Sequence, residues 1–301
     1  MRRARAYSPA GLSGLFSTHT EPLDPYRKGA RGAGIALSKG AWVAVEVEES
    51  DRLSLECYLN GARAELGLVR RLLRRILSRT ETDRSFKVVV RQEVELPTGG
   101  GLGTSGACAL ATALALAKAL GARMSYYELA REAHLAEIEE GTGLGTVSGL
   151  VAGGIVMVLE PGAPGYDRVD RVLADPDLLV VVGFFGPIDK REALSRADLR
   201  VVDRLGLEAL ARLEREPTVE AFIRECKWFA ERSGYMSGRV KAGVEAAERA
   251  GAVGASQAMI GETVFALVYE EYAERVREAL EALGAQALIS RIEWGPARLV
   301  R

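Results

Sequence analysis

Cysteine and histidine are scarce in this chain of 301 residues, which contains three cysteines and two histidines. Cys57, Cys108 and Cys226 are widely separated and odd in number, so they provide neither a disulfide framework nor the ligand spacing of a zinc site. Such cysteine usage is typical of a reducing compartment. The basic start, MRRARAYSPAG, lacks the apolar stretch of a signal peptide. Together these features predict a cytoplasmic protein.

Long apolar runs and an excess of charge of one sign are also missing. The longest apolar runs, at residues 110–116 and 178–185, are much shorter than the roughly 20 residues that span a bilayer, so we expect no membrane segment. The 40 lysines and arginines nearly balance 41 aspartates and glutamates, and a net charge of −1 gives no reason to expect nucleic acid as a partner. A chain of 301 residues can bury a large core, which predicts two domains.

Glycine, by contrast, is plentiful at 33 residues, and five glycines stand in one stretch, LPTGGGLGTSGA. The residues before it, 86–96, are β-rich and partly alternating, which predicts a strand. An Ala/Leu run up to Leu120 follows and predicts a buried helix. Glycines let main-chain amides approach a ligand closely, and a helix N-terminus adds free N–H groups and partial positive charge. The order strand, glycine loop, helix therefore predicts a phosphate site; the alternative is a glycine-rich turn before a well-packed helix.

Two familiar phosphate loops do not fit this stretch. The P-loop requires a lysine after its last glycine, but Thr104 follows Gly103. Gly101, Gly103 and Gly106 do satisfy G-x-G-x-x-G, yet the dinucleotide fingerprint also needs a second strand that ends in an acidic residue. A second helix follows instead, with a capping box that starts at Ser125. We therefore expect a phosphate loop outside a dinucleotide-binding fold.

The second helix, predicted over residues 126–140, carries an acid in its apolar face. At 100° per residue, Glu137 lies in the middle of the face formed by Tyr126, Leu129, Ala130, Ala133 and Ala136. The other acids lie on or beside the opposite side: Glu128, Glu132, Glu139 and Glu140. An inward carboxylate is costly unless it is paired or binds a cation. Magnesium that bridges nucleotide phosphates fits this need, and a buried Glu–Arg pair is the alternative. His134 lies off the apolar face and is interpreted as structural.

Residues 24–40 combine several glycines with three cations, Arg27, Lys28 and Arg31. Guanidinium groups suit carboxylates and phosphates. The segment therefore predicts either a solvated loop or a cradle for an acidic substrate or nucleotide phosphate.

The remaining pattern gives a coarse order of elements. We expect a short strand and a turn within residues 4–17, a strand at 41–48 with 51–58 as its hairpin partner, and an amphipathic helix at 62–78. Residues 141–154 predict a second glycine-rich turn, residues 254–261 predict a third glycine-bearing loop, and a strand at 155–159 should close the first domain. Residues 161–165 predict a linker. A helix at 191–213, two more helices and the C-terminal strands follow.

The loop PTGGGLGTSGA resembles the P-x-x-x-G-L-G-S/T-S-A/G-A phosphate loop of the GHMP kinases, which include galacto-, homoserine, mevalonate and phosphomevalonate kinases. Three further regions are together most similar to the archaeal pantoate kinase branch: SPAGLSGLF with DPYRKGARGAGIALSKG, HLAEIEEGTGLGTVSG, and GASQAMIGETVFAL. The resemblance implies an α+β fold with a ribosomal S5 domain 2-like domain over residues 1–160 and a ferredoxin-like domain over 166–301. It also implies a transferase, an ATP-dependent kinase that converts pantoate to 4-phosphopantoate in archaeal coenzyme A biosynthesis.

The resemblance assigns roles to residues at matching positions. ATP phosphates would be held by loop residues Pro97, Gly99, Gly100, Gly101, Leu102, Gly103, Thr104, Ser105 and Gly106. Ser105 and Glu137 would bind Mg²⁺ and act in catalysis. Arg27, Lys28 or Arg31 would grip the substrate carboxylate, and Ser256 would approach from the second domain. The partners would be small molecules, with a homodimer as one option for assembly.

Thr146 departs from the family pattern, because the pantoate kinase branch has T-G-L-G-D-V, whose aspartate is the proposed base toward the substrate hydroxyl. Threonine cannot accept a proton as a carboxylate does, and no other acid occurs between Glu140 and Glu160. Three explanations stay open. Phosphoryl transfer can proceed without a base, an acid can reach in from elsewhere, or the protein binds nucleotide with little turnover. The alternative functions are therefore another small-molecule kinase, of the mevalonate or homoserine type, and a nucleotide-binding regulator.

Overall fold

The computed structural model of the chain describes residues 1–80, 84–188 and 197–301. The predicted helix over residues 191–213 therefore begins outside the described residues. Those residues form two β-sheets with helices packed against them. Among them, no helix is both long and apolar enough to cross a bilayer.

The larger sheet is built around a long β-hairpin. Within the described residues its strands are β1 (Arg2–His19), β2 (Gly29–Ser50), β3 (Ser54–Leu59), β4 (Ala62–Arg63), β5 (Ser85–Val94), β6 (Ile155–Glu160), β7 (Arg168–Val172) and β12 (Arg298–Val300). Their order is β12-β1-β2-β5-β3-β4, while β6 pairs with the N-terminal part of β2 and β7 pairs with β6. The β5 strand confirms the strand predicted before the glycine loop.

The smaller sheet is antiparallel and has the order β11-β8-β10-β9. Its strands are β8 (Leu179–Phe184), β9 (Gly254–Gln257), β10 (Thr263–Val268) and β11 (Gln286–Arg291). The described helices are α1 (Gly67–Leu77), α2 (Thr104–Leu120), α3 (Tyr126–Glu140), α4 (Thr146–Ala152), α5 (Leu199–Arg215), α6 (Val219–Ser233), α7 (Gly238–Arg249) and α8 (Glu270–Glu281). Helix α2 contacts β1 and β2 as well as α1 and α3, which confirms the predicted buried helix.

The N-terminal hairpin corrects two predictions. The expected short strand with a turn is in fact part of β1, of 18 residues, and residues 29–40 of the cation-rich segment belong to β2, of 22 residues; Arg27 and Lys28 lie in the connection between the two strands. Register shifts between Pro9 and Ala10 and between Ser13 and Leu15 absorb the proline and glycines as bulges. A Cβ on Gly34 would clash with the Leu12 carbonyl oxygen, so the glycines that suggested a loop instead permit close strand pairing.

Strand β3 is not the hairpin partner of β2, so that prediction is wrong. It pairs in parallel with β5, and β5 itself pairs antiparallel with β2. Phe86, Val88 and Val90 alternate as buried residues along β5, so this strand fits the central position beside β2. The chain then reaches β5 from β3 by way of β4 and α1.

The segments predicted as a glycine-rich turn and as a glycine-bearing loop both contain regular structure. Residues 141–154 include helix α4, and residues 254–261 begin with strand β9. The segment 161–165, predicted as a linker, connects β6 and β7 of the same sheet, and its Ala163 amide donates to the Tyr26 carbonyl at 2.8 Å. Strands β7 and β12 lie outside residues 1–160 and still belong to the larger sheet. A division of the chain between residues 160 and 166 stays a prediction.

Candidate active site

The glycine loop joins β5 to α2 and exposes the first turn of that helix. Gly99, Gly101 and Gly103 have φ values of 78°, 75° and 59°, in the left-handed region that side chains rarely adopt. Gly103 precedes the helix, and no side chain of the described residues caps it. The N–H groups of the first helical turn have no intrahelical acceptor, so this end of α2 is suited to an anion.

Both sheets hold the loop in place. On one side, the Gly11 amide of β1 donates to the Leu102 carbonyl at 3.2 Å, and a Cβ on Gly103 would clash with the Gly11 carbonyl oxygen. On the other side, a Cβ on Gly261 would clash with the Gly100 carbonyl oxygen. The loop therefore lies at the junction of the two sheets, within van der Waals distance of each.

Glu137 is buried beside the loop, as its place in the apolar face predicted. Its side chain is 2% exposed, and its Oε1 accepts hydrogen bonds from Ser105 Oγ at 2.5 Å and Thr142 Oγ1 at 2.6 Å. Helix α3 also has the predicted capping box at Ser125 and Glu128. A buried Glu–Arg pair, which was the alternative interpretation for Glu137, occurs about one and a half turns earlier on α3.

That pair is formed by Glu132, which the sequence placed on the outer side; this prediction is wrong. Glu132 is 5% exposed and accepts from Arg75 Nη1 at 3.0 Å, with Arg79 Nη2 at 3.8 Å. The reason is that α1 packs against this side of α3. Its arginines cover the side of α3 that the helical wheel alone leaves open to solvent.

The oxygens around Glu137 fit a hard cation. A Cβ on Gly143 would clash with Glu137 Oε2, and one on Gly106 would lie 3.0 Å from it, so glycine at both positions leaves room for the carboxylate. In the part of the chain that the structure describes, no three His, Cys, Asp or Glu residues cluster as a metal cage. Magnesium bound mainly by nucleotide phosphates needs only one or two protein oxygens. The Ser105 hydroxyl and the Glu137 carboxylate are a suitable pair.

A cavity of about 780 Å³ opens beside this pair, within the usual size range of small-molecule sites. It is lined from the start of α1 at Leu66, past the loop and Glu137, to the hairpin at Phe16 and Arg31, with Met259 and Ile260 from the second half of the chain. Seven of the nine predicted phosphate-loop residues line it: Gly99, Gly101, Leu102, Gly103, Thr104, Ser105 and Gly106. Pro97 and Gly100 are not among the lining residues, and Gly100 lies against Phe184 and Thr263.

Of the three candidate substrate cations, the structure brings only Arg31 to the cavity formed by the described residues. Its Nε is buried and has no hydrogen-bond partner among them. Arg27 has 70% of its side chain exposed and lies 3.8 Å from Asp24. Lys28 is half-buried away from the lining, and its carbonyl accepts from His134 Nε2 at 2.9 Å. Burial lowers the pKa of His134, which agrees with a structural, uncharged imidazole.

Thr146, the first residue of α4, packs directly against the loop. A Cβ on Gly103 or Gly106 would lie 2.8 Å from Thr146 Cγ2, so the methyl group of Thr146 occupies the space left by these two glycines. The structure thus brings Thr146 to the cavity together with Ser105 and Glu137.

The acids that line the cavity are the candidates for the base that Thr146 cannot provide. Within the described residues they are Glu65, Glu137 and Glu140. Glu65 pairs with Arg70 at 2.6 Å, and Glu140 pairs with Arg71 at 2.6 Å, both on the α1 side of the cavity. No described aspartate lines the cavity, which leaves Glu137 as the lining acid beside Thr146.

The chain also matches known proteins. The model of the GHMP kinases N terminal domain matches residues 67–154, and that of the GHMP kinases C terminal domain matches residues 207–286. A pantoate kinase from Thermococcus kodakarensis is 32% identical over 285 residues, which cover 92% of this chain and 91% of that protein. The chain belongs to the GHMP kinase family. A pantoate kinase from Methanocaldococcus jannaschii is 28% identical over 269 residues, 89% of this chain and 94% of that one.

The solved structures agree with this assignment. A protein described as a phosphotransferase related to the CoA biosynthesis pathway superposes with a TM-score of 0.90 and 28% identity, and covers 99% of both chains. This GHMP kinase therefore has the two-domain α+β fold of its family, which confirms the fold class expected from the sequence.

The second half of this GHMP kinase contacts the glycine loop through other groups than the expected Ser256 side chain. Ser256 lies fully buried in β9, outside the cavity lining, and its Oγ has no partner among the described residues. Gln257 Nε2 instead donates to the Gly261 carbonyl at 2.9 Å. The segment after β9 therefore reaches the loop through Met259, Ile260 and the main chain of Gly261.

Thr142 is a site residue that the sequence reasoning missed. It lines the cavity and donates to Glu137 Oε1. The available signal was its place directly after Gly141, the glycine that ends α3, because such an ending folds the chain back over the last helical turn.

Proposed function

We propose that this GHMP kinase transfers the γ-phosphoryl group of ATP to pantoate, giving 4-phosphopantoate and ADP. The two similar pantoate kinases, each matched over about nine tenths of both chains, support this substrate. The observation that carries the proposal is the buried Glu137 carboxylate, bonded to Ser105 at the N-terminus of α2, in a cavity that also contains Arg31. The cavity thus combines groups that can hold Mg·ATP, Ser105 and Glu137, with a guanidinium group that can bind an acidic substrate, Arg31.

The loop and the metal ligands hold the nucleotide. Main-chain N–H groups at Thr104, Ser105 and Gly106 bind the phosphate oxygens, helped by the partial positive charge of the α2 N-terminus. Ser105 and Glu137 would hold Mg²⁺, which would offset the negative charge of the phosphates. The burial of Glu137 keeps its carboxylate in place before the nucleotide arrives.

Arg31 binds the carboxylate of pantoate. Its Nε, buried without a partner among the described residues, is a donor that needs an acceptor. A carboxylate supplies one, and a guanidinium can bind it with two parallel hydrogen bonds. Phe16, Val158 and Ile260 line the cavity as apolar neighbours and suit the two methyl groups of pantoate.

The hydroxyl of pantoate attacks the γ-phosphorus without a protein base. A new P–O bond forms to that hydroxyl oxygen, the bond to the β-phosphate oxygen breaks, and the hydroxyl proton passes to a phosphoryl oxygen. Thr146 takes no proton, and its methyl group packs against the loop. Positioning and charge stabilisation supply the rate, as in phosphoryl transfer generally.

The relatives and the cysteine usage support a pathway, a source and a cellular location for this kinase. A product for coenzyme A biosynthesis is supported by the description of the solved relative. The sources of the similar pantoate kinases support an archaeal origin, and the reduced cysteines support a cytoplasmic location.

One assay tests this function. The protein is incubated with Mg·ATP and, in turn, with pantoate, mevalonate, homoserine or shikimate, while ADP is followed. We expect turnover with pantoate. Turnover with mevalonate or homoserine alone would make it another small-molecule kinase. ATP binding without turnover would favour a nucleotide-binding regulator, the second candidate, which rests on Thr146 in place of an aspartate.

A further inference from the structure

We propose that Thr142 is a positioning residue that fixes the Glu137 carboxylate for Mg²⁺ through the way helix α3 ends. This inference rests on the proposed function, because it concerns the metal that the kinase uses.

The main chain places Thr142 beside Glu137. Gly141 ends α3 in the left-handed conformation, with φ of 71°. Its amide donates to the Ile138 carbonyl at 3.1 Å, and the Thr142 amide donates to the Glu137 carbonyl at 3.0 Å. This pair of bonds is the Schellman ending of a helix, which folds the second residue after the helix back over the residue five positions earlier.

The side chains then make an unusual contact. Helix endings of this type frequently have an apolar contact between the side chains at these positions. Here the Thr142 hydroxyl donates to Glu137 Oε1 at 2.6 Å, and the Ser105 hydroxyl donates to the same oxygen at 2.5 Å. The carboxylate is thus held from the end of α3 and from the start of α2.

The orientation that results suits metal binding. While Oε1 is held by two hydroxyls, glycine at positions 106 and 143 leaves room for Oε2, because a Cβ added at either position would come within 3.0 Å of it. A glutamate has three side-chain torsions, and its freedom would otherwise be lost when the metal binds. Partners that orient metal ligands typically change metal affinity by about 10- to 100-fold when they are removed.

A purely structural role for Thr142 predicts a different result. The two main-chain bonds of the helix ending survive in any non-proline variant at residue 142. If the hydroxyl served only folding, its loss would lower the melting temperature and leave the response to Mg²⁺ unchanged. The two roles are therefore separable by experiment.

The test compares Thr142→Val and Thr142→Ser with the wild type and with a matched control, Thr218→Val. Thr218 Oγ1 accepts from the Ala221 amide at 3.1 Å at the start of α6, so the control also loses one threonine hydroxyl bond, away from the site. ATP affinity is measured by calorimetry with and without Mg²⁺, together with the melting temperature. Thr142→Ala is a second variant without the hydroxyl, for use if valine disturbs folding.

We expect Thr142→Val to weaken the Mg²⁺-dependent ATP affinity by about tenfold and to leave the affinity without Mg²⁺ unchanged. Thr142→Ser should restore it, and Thr218→Val should lower only the melting temperature. A valine variant with the wild-type response to Mg²⁺ overturns the inference and leaves the proposed function standing. A wild-type protein whose ATP affinity ignores Mg²⁺ overturns both.

Discussion

Ser105 and Glu137 belong to different helices, and their side chains meet with Ser105 Oγ 2.5 Å from Glu137 Oε1. Ser105 lies in the first turn of α2 and Glu137 in the last turn of α3. The contact joins the N-terminus of α2, which no side chain of the described residues caps, to the acid that α3 buries.

The first prediction concerns the carboxylate itself. Glu137→Gln should lower kcat/KM for Mg·ATP by about 100-fold or more, because a neutral amide is a poor ligand for Mg²⁺. Folding should be nearly unaffected, since the Gln oxygen can still accept from Ser105 and Thr142. Steady-state kinetics and thermal melts check this.

Glu132→Gln is the matched control on the same helix. It replaces a buried acid that is paired with Arg75, so it should cost about 1–3 kcal/mol of unfolding free energy. Its response to Mg²⁺ should equal that of the wild type. Full activity in the Glu137 variant would remove Glu137 from the metal site.

The second prediction separates the candidate substrate cations. Arg31→Met should raise KM for pantoate by about 10- to 100-fold, the usual loss for a hydrogen bond to a charged group, while KM for ATP stays unchanged. Arg27→Met, on an exposed side chain, should leave both constants unchanged. If the Arg27 variant lost pantoate affinity and the Arg31 variant did not, the substrate site would lie elsewhere.

The third prediction tests transfer without a base. Thr146→Asp should not increase kcat, because the account assigns the rate to positioning and charge stabilisation. Thr146→Ser keeps the hydroxyl and loses the methyl group that packs on Gly103 and Gly106, so it controls for packing. Rates for both are compared at saturating Mg·ATP and pantoate. A large gain in the aspartate variant would show that a missing base limits the native enzyme.

The fourth prediction concerns pH. Burial lowers the pKa of His134 in the folded protein below the ordinary histidine value of about 6.5, so below that pH the unfolded chain binds more protons at this residue than the folded protein does. Stability from the neutral imidazole is therefore present above about pH 6.5 and is lost as pH falls toward the folded pKa. His134→Gln can still donate to the Lys28 carbonyl but does not titrate.

The unfolding free energy, measured between pH 8 and pH 5, should fall less steeply in the His134→Gln variant than in the wild type. His19→Gln serves as the control, because 41% of the His19 side chain is exposed. If His19→Gln changed the slope of unfolding free energy against pH and His134→Gln did not, the assignment of the pH dependence to the buried His134 would be contradicted.

Local sequence patterns predicted those features of the site that are determined within a single helix, strand or loop. The alternation of β5, the glycines and the Ala/Leu run predicted the order strand, glycine loop, helix, and the helical period of α3 placed Glu137 inward. These features depend on residues that are close in sequence. The Ser125 capping box was readable for the same reason.

Features that depend on distant neighbours could not be predicted. Glu132 is buried because α1 packs beside it. The sequence offered three candidate cations, and the one that reaches the cavity, Arg31, is selected by the pairing of residues 29–47 with β1. In the sequence alone, the glycines of the β1–β2 hairpin have the pattern of a loop, and their role in close strand pairing is visible only in the structure. Ser256 was placed at the site by resemblance, and its burial in β9 follows from pairing with β10.

The central claim is that the loop before α2 and Glu137 together hold Mg·ATP. The most direct test is a crystal structure with Mg²⁺ and a non-hydrolysable ATP analogue. The account predicts phosphate oxygens within hydrogen-bond distance of the Ser105 and Gly106 amides, and the metal in contact with Glu137. Nucleotide bound elsewhere, with the loop and Glu137 unoccupied, would contradict it.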